Sequence, residues 1–148
     1  MKKRKKGLLN MEKSEFYTLK GYKLKQNNEI TEAMEDYLEM IYRLTKEKKE
    51  TRIKEIAYEL NVSKSSASKM VSKLKMYNYV NFKKYGNIVL TIKGIKRGSF
   101  LLWRHNTLVE FFKFLNKKNC DLEQVEKVEH FVDIVTLKNM EKLIKLQK

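Results

Sequence analysis

Glu126, Glu129 and His130 fall within five consecutive residues of the stretch QVEKVEHF at 124–131. Read as a helix, positions three and four apart share a face, so two carboxylates and an imidazole point the same way. No lysine or arginine lies on that face to neutralise them. Carboxylates crowded in this way repel one another and resist ionisation, which a divalent cation relieves. A second acidic group, Glu35, Asp36 and Glu39, lies in MEDYLEM at 34–40, and Asp36 and Glu39 again share a face. His105 is the other of the chain's two histidines. Taken singly, each of these reads as a solvated acid or a satisfied core histidine. Taken together, Asp36, Glu39, His105, Glu126, Glu129 and His130 supply four carboxylates and two imidazoles, a donor set sufficient for two divalent ions sharing bridging carboxylates. Such hard-leaning donors suit Mn²⁺. Because Mn²⁺ binds most weakly of the divalent series, Fe²⁺ and Zn²⁺ also bind such a set.

For those six residues to meet, three helices separated in the chain must pack together. The first is capped by Thr31 and buries Met34, Tyr37, Leu38, Ile41 and Tyr42, fading in the charged run at 46–50. Short helices follow at about 53–60 and from a Ser63 cap to about Tyr77, joined by Asn61-Val62-Ser63. Residues 79–91 alternate around Tyr85-Gly86-Asn87 as a small hairpin. A long helix over about 92–115 carries His105. A fifth helix starts with a capping-box-like Asp121 and Gln124, and a last one starts from about Thr136. Phe16, Tyr17, Leu19 and Tyr22 in the first 30 residues read as a strap onto the body.

The charge is uneven. Residues 1–25 hold nine Lys/Arg against two Glu, and residues 51–97 hold eleven against two, within a net charge of +15. A positive field gathered on one tail and one middle segment is the pattern of a module facing a polyanion. No apolar run approaches the roughly 20 residues that span a bilayer. The single Cys120 excludes an internal disulfide framework and fits a reducing compartment, so a cytoplasmic protein is expected.

Two short helices joined by three residues and followed by a hairpin form the order of a winged helix-turn-helix. Ile56, Leu60, Val62, Ala67 and Met70 supply its apolar positions, Ala57 permits a close helix crossing, and Asn61 tolerates a left-handed turn. The candidate DNA contacts are Ser63, Lys64, Ser65, Ser66, Ser68, Lys69 and Lys73 on the recognition helix, Arg52 ahead of the module, and Lys83, Lys84 and Tyr85 on the wing. Serine hydroxyls serve any base edge, and lysines neutralise phosphates.

MEDYLEMIYRL, KSSASKMVSKL, IVLTIKG, LLWRHN and VEKVEH, in this order, resemble the diphtheria-toxin-repressor family of metal-dependent transcriptional regulators, in particular its short manganese-responsive branch. The resemblance covers about residues 31–145. It implies a mainly α chain, with a winged helix-turn-helix domain at 31–96 after a basic extension at 1–30, and an all-helical metal-binding and dimerisation domain at 97–148. It implies a binuclear site at the same six residues. The function implied is a homodimeric repressor that binds palindromic double-stranded DNA at metal-uptake genes and is not an enzyme. The stripe Leu137, Met140, Leu143 and Ile144 is then the expected dimer surface. The iron-responsive branch places Met where Asp36 stands and Cys where Glu126 stands, and adds a C-terminal SH3-like domain for which no room is expected here. Two departures touch DNA: Lys64 replaces a common proline before the paired serines, and the wing tip lacks an arginine. The basic residues Lys2, Lys3, Arg4, Lys5 and Lys6 are expected to compensate.

Three other readings stay open on sequence: an Fe²⁺-responsive repressor of the same family, a dinuclear carboxylate enzyme, and a metal-independent architectural DNA binder. The enzyme reading wants repeated Glu-x-x-His pairs on two helices, and no such pair occurs.

Overall fold

A computed structural model describes residues 16–25 and 29–148. The basic run at residues 2–6 lies outside the described residues. Among those described, the first element is a short helix, α1 (Leu19–Lys25). The strap expected of its aromatics is only partial: Phe16 and Leu19 are largely exposed. Lys23 also ties the segment to the body: it pairs with Glu32 at 2.7 Å and lies 5.7 Å from the Phe131 ring centre.

Helix α2 (Glu32–Lys48) begins where the Met34 N–H donates to Thr31 Oγ1, as the sequence predicts, and ends with Lys49 in the left-handed region. It buries Met34, Tyr37, Leu38 and Ile41. Helices α3 (Ile53–Leu60) and α4 (Lys64–Met76) are joined through Asn61 at φ 55°, the left-handed conformation that Asn tolerates better than most residues with a side chain. Buried Ala57 and Ala67 let them cross closely, while Val62 stays partly exposed. Strands β1 (Val80–Phe82) and β2 (Ile88–Leu90) pair antiparallel, Val80 opposite Leu90, with Tyr85 at φ 62° in the turn. Thr51 adds a single bridge to Ile88, so the stem of the wing is anchored to the start of the helix pair.

Helix α5 (Ile92–Asn116) is about 37 Å long at 1.5 Å per residue. Its N-terminal half closes the larger core, which gathers α2, α3, α4 and the wing around Leu38, Ile41, Ile56, Leu74 and Ile88. Its C-terminal half carries a smaller core of Leu108, Val125 and Leu137 with α6 (Leu122–Val128) and α7 (Ile134–Leu146). The expected boundary between residues 96 and 97 therefore falls inside one continuous helix. Two glycines permit its close approach: a Cβ at Gly94 would meet the Tyr79 carbonyl oxygen at 2.0 Å, and one at Gly98 would meet the Tyr42 side chain at 2.7 Å.

Local details differ from expectation after residue 116. Asp121 caps α6 by accepting from the Glu123 N–H, not through a box with Gln124. The fifth helix stops at Val128, and Glu129–Phe131 form a 3₁₀ turn. Helix α7 then begins at Ile134, two residues before the expected start, capped by Asp133, which accepts from the Thr136 N–H at 2.7 Å. No helix of the described residues is long and apolar enough to cross a membrane.

Candidate metal centre and nucleic-acid interface

The 3₁₀ turn decides how the acids are presented. Glu126 stands on the last turn of α6 and Glu129 opens the 3₁₀ turn, and both present carboxylate oxygens near His130. Asp36 and Glu39 reach them from α2, and His105 from α5. Four donors, from Asp36, Glu126, Glu129 and His130, lie within 4.8 Å of one another. A second group within the same limit joins Glu39, His105 and Glu129. Glu129 belongs to both groups, and its side chain is only 2% exposed.

His130 Nε2 lies 3.0 Å from Asp36 Oδ1 and 3.8 Å from a Glu126 oxygen, and His105 Nδ1 lies 2.9 Å from Glu129 Oε2. Adjacent donors around an octahedral ion with bonds of about 2.1 Å stand about 3 Å apart. The shorter contacts therefore match the edges of a coordination shell. The donor set fits divalent metal.

Protonation reflects the crowding. Burial, with the Asp36 carboxylate beside it, pushes the Glu126 pKa up to about 7. Burial opposes a charge on His130, but Asp36 and Glu35 more than offset it and push its pKa up to about 10. The hydrogen bond to Glu129 holds His105 above its ordinary value against the effect of burial. Burial raises Glu39 although Arg43 opposes it.

Three arginines at the site escape the sequence reading, and Glu35, named there as an acid, stands outside its donor set. Glu35 is buried behind the cluster, where His130 Nδ1 lies 3.3 Å from its Oε1 and Arg97 Nη2 donates to its Oε2 at 2.7 Å. Arg104, 3% exposed, reaches the same oxygen at 3.4 Å and stands 3.1 Å from His130 Nδ1. Burial resists ionisation of Glu35, yet His130 and Arg104 together hold its pKa below the ordinary value. Arg43 donates through Nε and Nη2 to Glu39 Oε2 at 3.0 and 2.8 Å. Cations are thus supplied from α5 and α2, although the face of Glu126, Glu129 and His130 carries none. Arg104 left a legible signal: it occupies the apolar stripe of Leu101 and Leu108, and an arginine in such a position requires a buried acid.

On the DNA-facing module, Lys64, Ser65, Ser68, Lys69 and Lys73 are exposed along α4. Ser63 and Ser66 are occupied with each other: the Ser66 N–H donates to Ser63 Oγ, and the two hydroxyls stand 2.9 Å apart. Lys84 and Tyr85 are exposed at the wing tip. Arg52 and Lys83 serve the stem: Arg52 Nε donates to Asn87 Oδ1 at 2.9 Å, and Lys83 pairs with Glu50 at 3.1 Å. The expected dimer stripe divides. Leu137 is wholly buried in the protomer's own second core and offers a partner no surface, a correction that follows from its packing under α5. Met140 packs against the same core, Ile144 is half-buried, and Leu143 is exposed.

Comparison with known proteins agrees with this fold. Residues 29–88 match the family model described as "Iron dependent repressor, N-terminal DNA binding domain". The HTH-type transcriptional regulator MntR of Shouchella clausii is 42% identical over 103 residues, covering 69% of this chain and 72% of that protein. The MntR of Geobacillus thermodenitrificans is 43% identical over 102 residues, covering 68% and 72%. Among solved structures, the manganese regulator SloR superposes with a TM-score of 0.68 at 31% identity, over 76% of this chain and 53% of that one. The metal-dependent transcriptional regulator MtsR shares the fold at a TM-score of 0.70 and 24% identity, over 78% and 55%. The chain spans about half the length of these solved structures. With the helix-turn-helix and the wing in place, the chain belongs to the iron-dependent repressor family of metal-dependent transcriptional regulators.

Proposed function

We propose that this protein is a Mn²⁺-activated, dimeric repressor that binds palindromic operators of metal-uptake genes and takes two ions per subunit. The observation that carries the reading is Glu129, a buried carboxylate common to both donor groups. Asp36, Glu126, Glu129 and His130 would hold one ion, and Glu39, His105 and Glu129 the other. A divalent ion supplies positive charge that the crowded acids lack and fixed directions that their side chains follow.

The chain's own residues do the rest. Asp36 and Glu39 stand on α2, which packs in the core of the DNA module. His105 stands on α5, and Glu126, Glu129 and His130 stand beyond it. Drawing these donors together ties the DNA module to the second core and narrows the range of angles between them. Two recognition helices in a dimer must enter major grooves about 34 Å apart, so a fixed angle favours operator binding. Metal and DNA are then linked through one arrangement that both prefer, without touching. Glu35 and Arg104 hold the far side of the His130 ring, so Nε2 stays turned toward Asp36.

The test is affinity for promoter DNA of the host's manganese-uptake genes, at one salt concentration, titrated with Mn²⁺, Fe²⁺ or Zn²⁺ against a chelator. Tightening of about tenfold or more, with Mn²⁺ the strongest activator, supports the reading. Strongest activation by Fe²⁺ would move the assignment to an iron sensor. Equal affinity with and without metal would leave a metal-independent DNA binder.

A further inference from the structure

Resting on the two-ion reading above, we propose that Arg43 makes the Glu39–His105–Glu129 cluster the weaker of the two, by competing with a cation for the Glu39 carboxylate. Arg43 lies one helical turn beyond Glu39 on α2, and two of its donors converge on a single oxygen, Oε2, at 3.0 and 2.8 Å. The pairing is internal to one helix, so it forms whatever the second core does.

The two clusters differ in their share of charge. The Asp36 cluster contains three carboxylates and an imidazole. Its nearest arginine, Arg104, stands behind the ring and donates to Glu35, which is not a member. The Glu39 cluster contains two carboxylates; one is shared with its neighbour, and the other is already engaged by a guanidinium. A cation seated there meets a fixed positive charge across one carboxylate, in a site half-screened from water, where like charges repel more strongly than in bulk solvent. Arginine keeps its charge at any working pH, so the opposition does not titrate away.

Arg43 also has somewhere to go. It is 37% exposed and borders an opening of about 490 Å³ with Asp36, Glu39, Glu59, His105 and Glu126. Occupation of the Glu39 cluster would release the guanidinium into that opening. The two clusters then fill at separated metal concentrations, and the step governed by Arg43 sets the concentration at which the second ion is taken up.

Stepwise Mn²⁺ binding to the full-length protein, followed by the loss of the electron paramagnetic resonance signal of free Mn²⁺, tests this without DNA. Arg43→Met keeps the length of the side chain and removes its charge. It is expected to tighten the second ion by about tenfold, equivalent to about 1.4 kcal/mol, and to leave the first within about twofold. Arg43→Lys retains the charge without the two-donor fork and is expected near the wild type, which also controls for folding. A second ion bound equally or more weakly by Arg43→Met would overturn the proposal, making Arg43 an orienting residue for Glu39. Two-ion uptake that survives Glu129→Gln would instead sink the site assignment itself, whatever Arg43 does.

Discussion

His105 Nδ1 and Glu129 Oε2 stand 2.9 Å apart, joining the middle of α5 to the 3₁₀ turn that follows α6. One contact thereby connects the helix shared by both cores to the turn that carries Glu129 and His130. Glu129 is at once the most enclosed acid of the site and the one that serves both clusters.

Replacing Glu129 with glutamine removes the shared charge while keeping the shape. Both ions are expected to weaken by more than the roughly 10- to 100-fold typical of losing a supporting residue outside the ligand set. Metal-dependent DNA binding should vanish, while helicity by circular dichroism stays near wild type. Selective loss of only one ion would show that Glu129 does not bridge.

The metal-free protein should lose stability as pH rises. His130 has a folded pKa of about 10, above its unfolded value, so its stabilising contribution is complete below the unfolded pKa and is lost as pH climbs through about 10. Glu126, raised to about 7, must ionise against its surroundings, so its penalty grows between its ordinary range and about 7. The carboxylates held low, such as Glu35, act oppositely but have made their contribution once pH exceeds the unfolded carboxylate pKa. Chemical denaturation of metal-free protein between about pH 5.5 and 9 should therefore show a falling midpoint. Mn²⁺ should reverse the trend, because cation binding releases the same protons. A midpoint that rises over this range would contradict the reading of both groups.

Lys69 is exposed on α4, a helix whose own sequence carries no acid. Lys69→Ala should weaken operator binding at every metal concentration and lower the log–log salt slope by about 0.9, the share of one phosphate contact. An unchanged slope would remove Lys69 from the interface.

Gly94→Ala tests the fold that positions the site. Its added methyl would meet a backbone carbonyl at 2.0 Å, and a backbone atom cannot swing aside as a side-chain tip can. The start of α5 must then shift away from the wing, at a cost of about 2 kcal/mol or more. Thermal unfolding should show the loss, and metal-dependent DNA binding should fall with it because α5 carries His105.

Composition and spacing alone determined the helix-turn-helix, the wing and the identity of the six candidate ligands. Those features are local. Thr31 and Ser63 cap helices through their own hydroxyls, Asn61 takes a left-handed turn, and acids at three- and four-residue spacing share a face whatever lies opposite. Tertiary structure decided what depends on partners far along the chain. It brought Arg104 and Glu35, 69 positions apart, together behind His130, and placed Leu137 inside the protomer instead of on its surface. It also ended α6 at Val128 and wound Glu129–Phe131 more tightly. A periodic pattern states which side chains share a face, but the neighbouring helices set which atom of each side chain is turned inward. At this site that orientation places Glu129 in both donor groups and pairs Glu39 with Arg43.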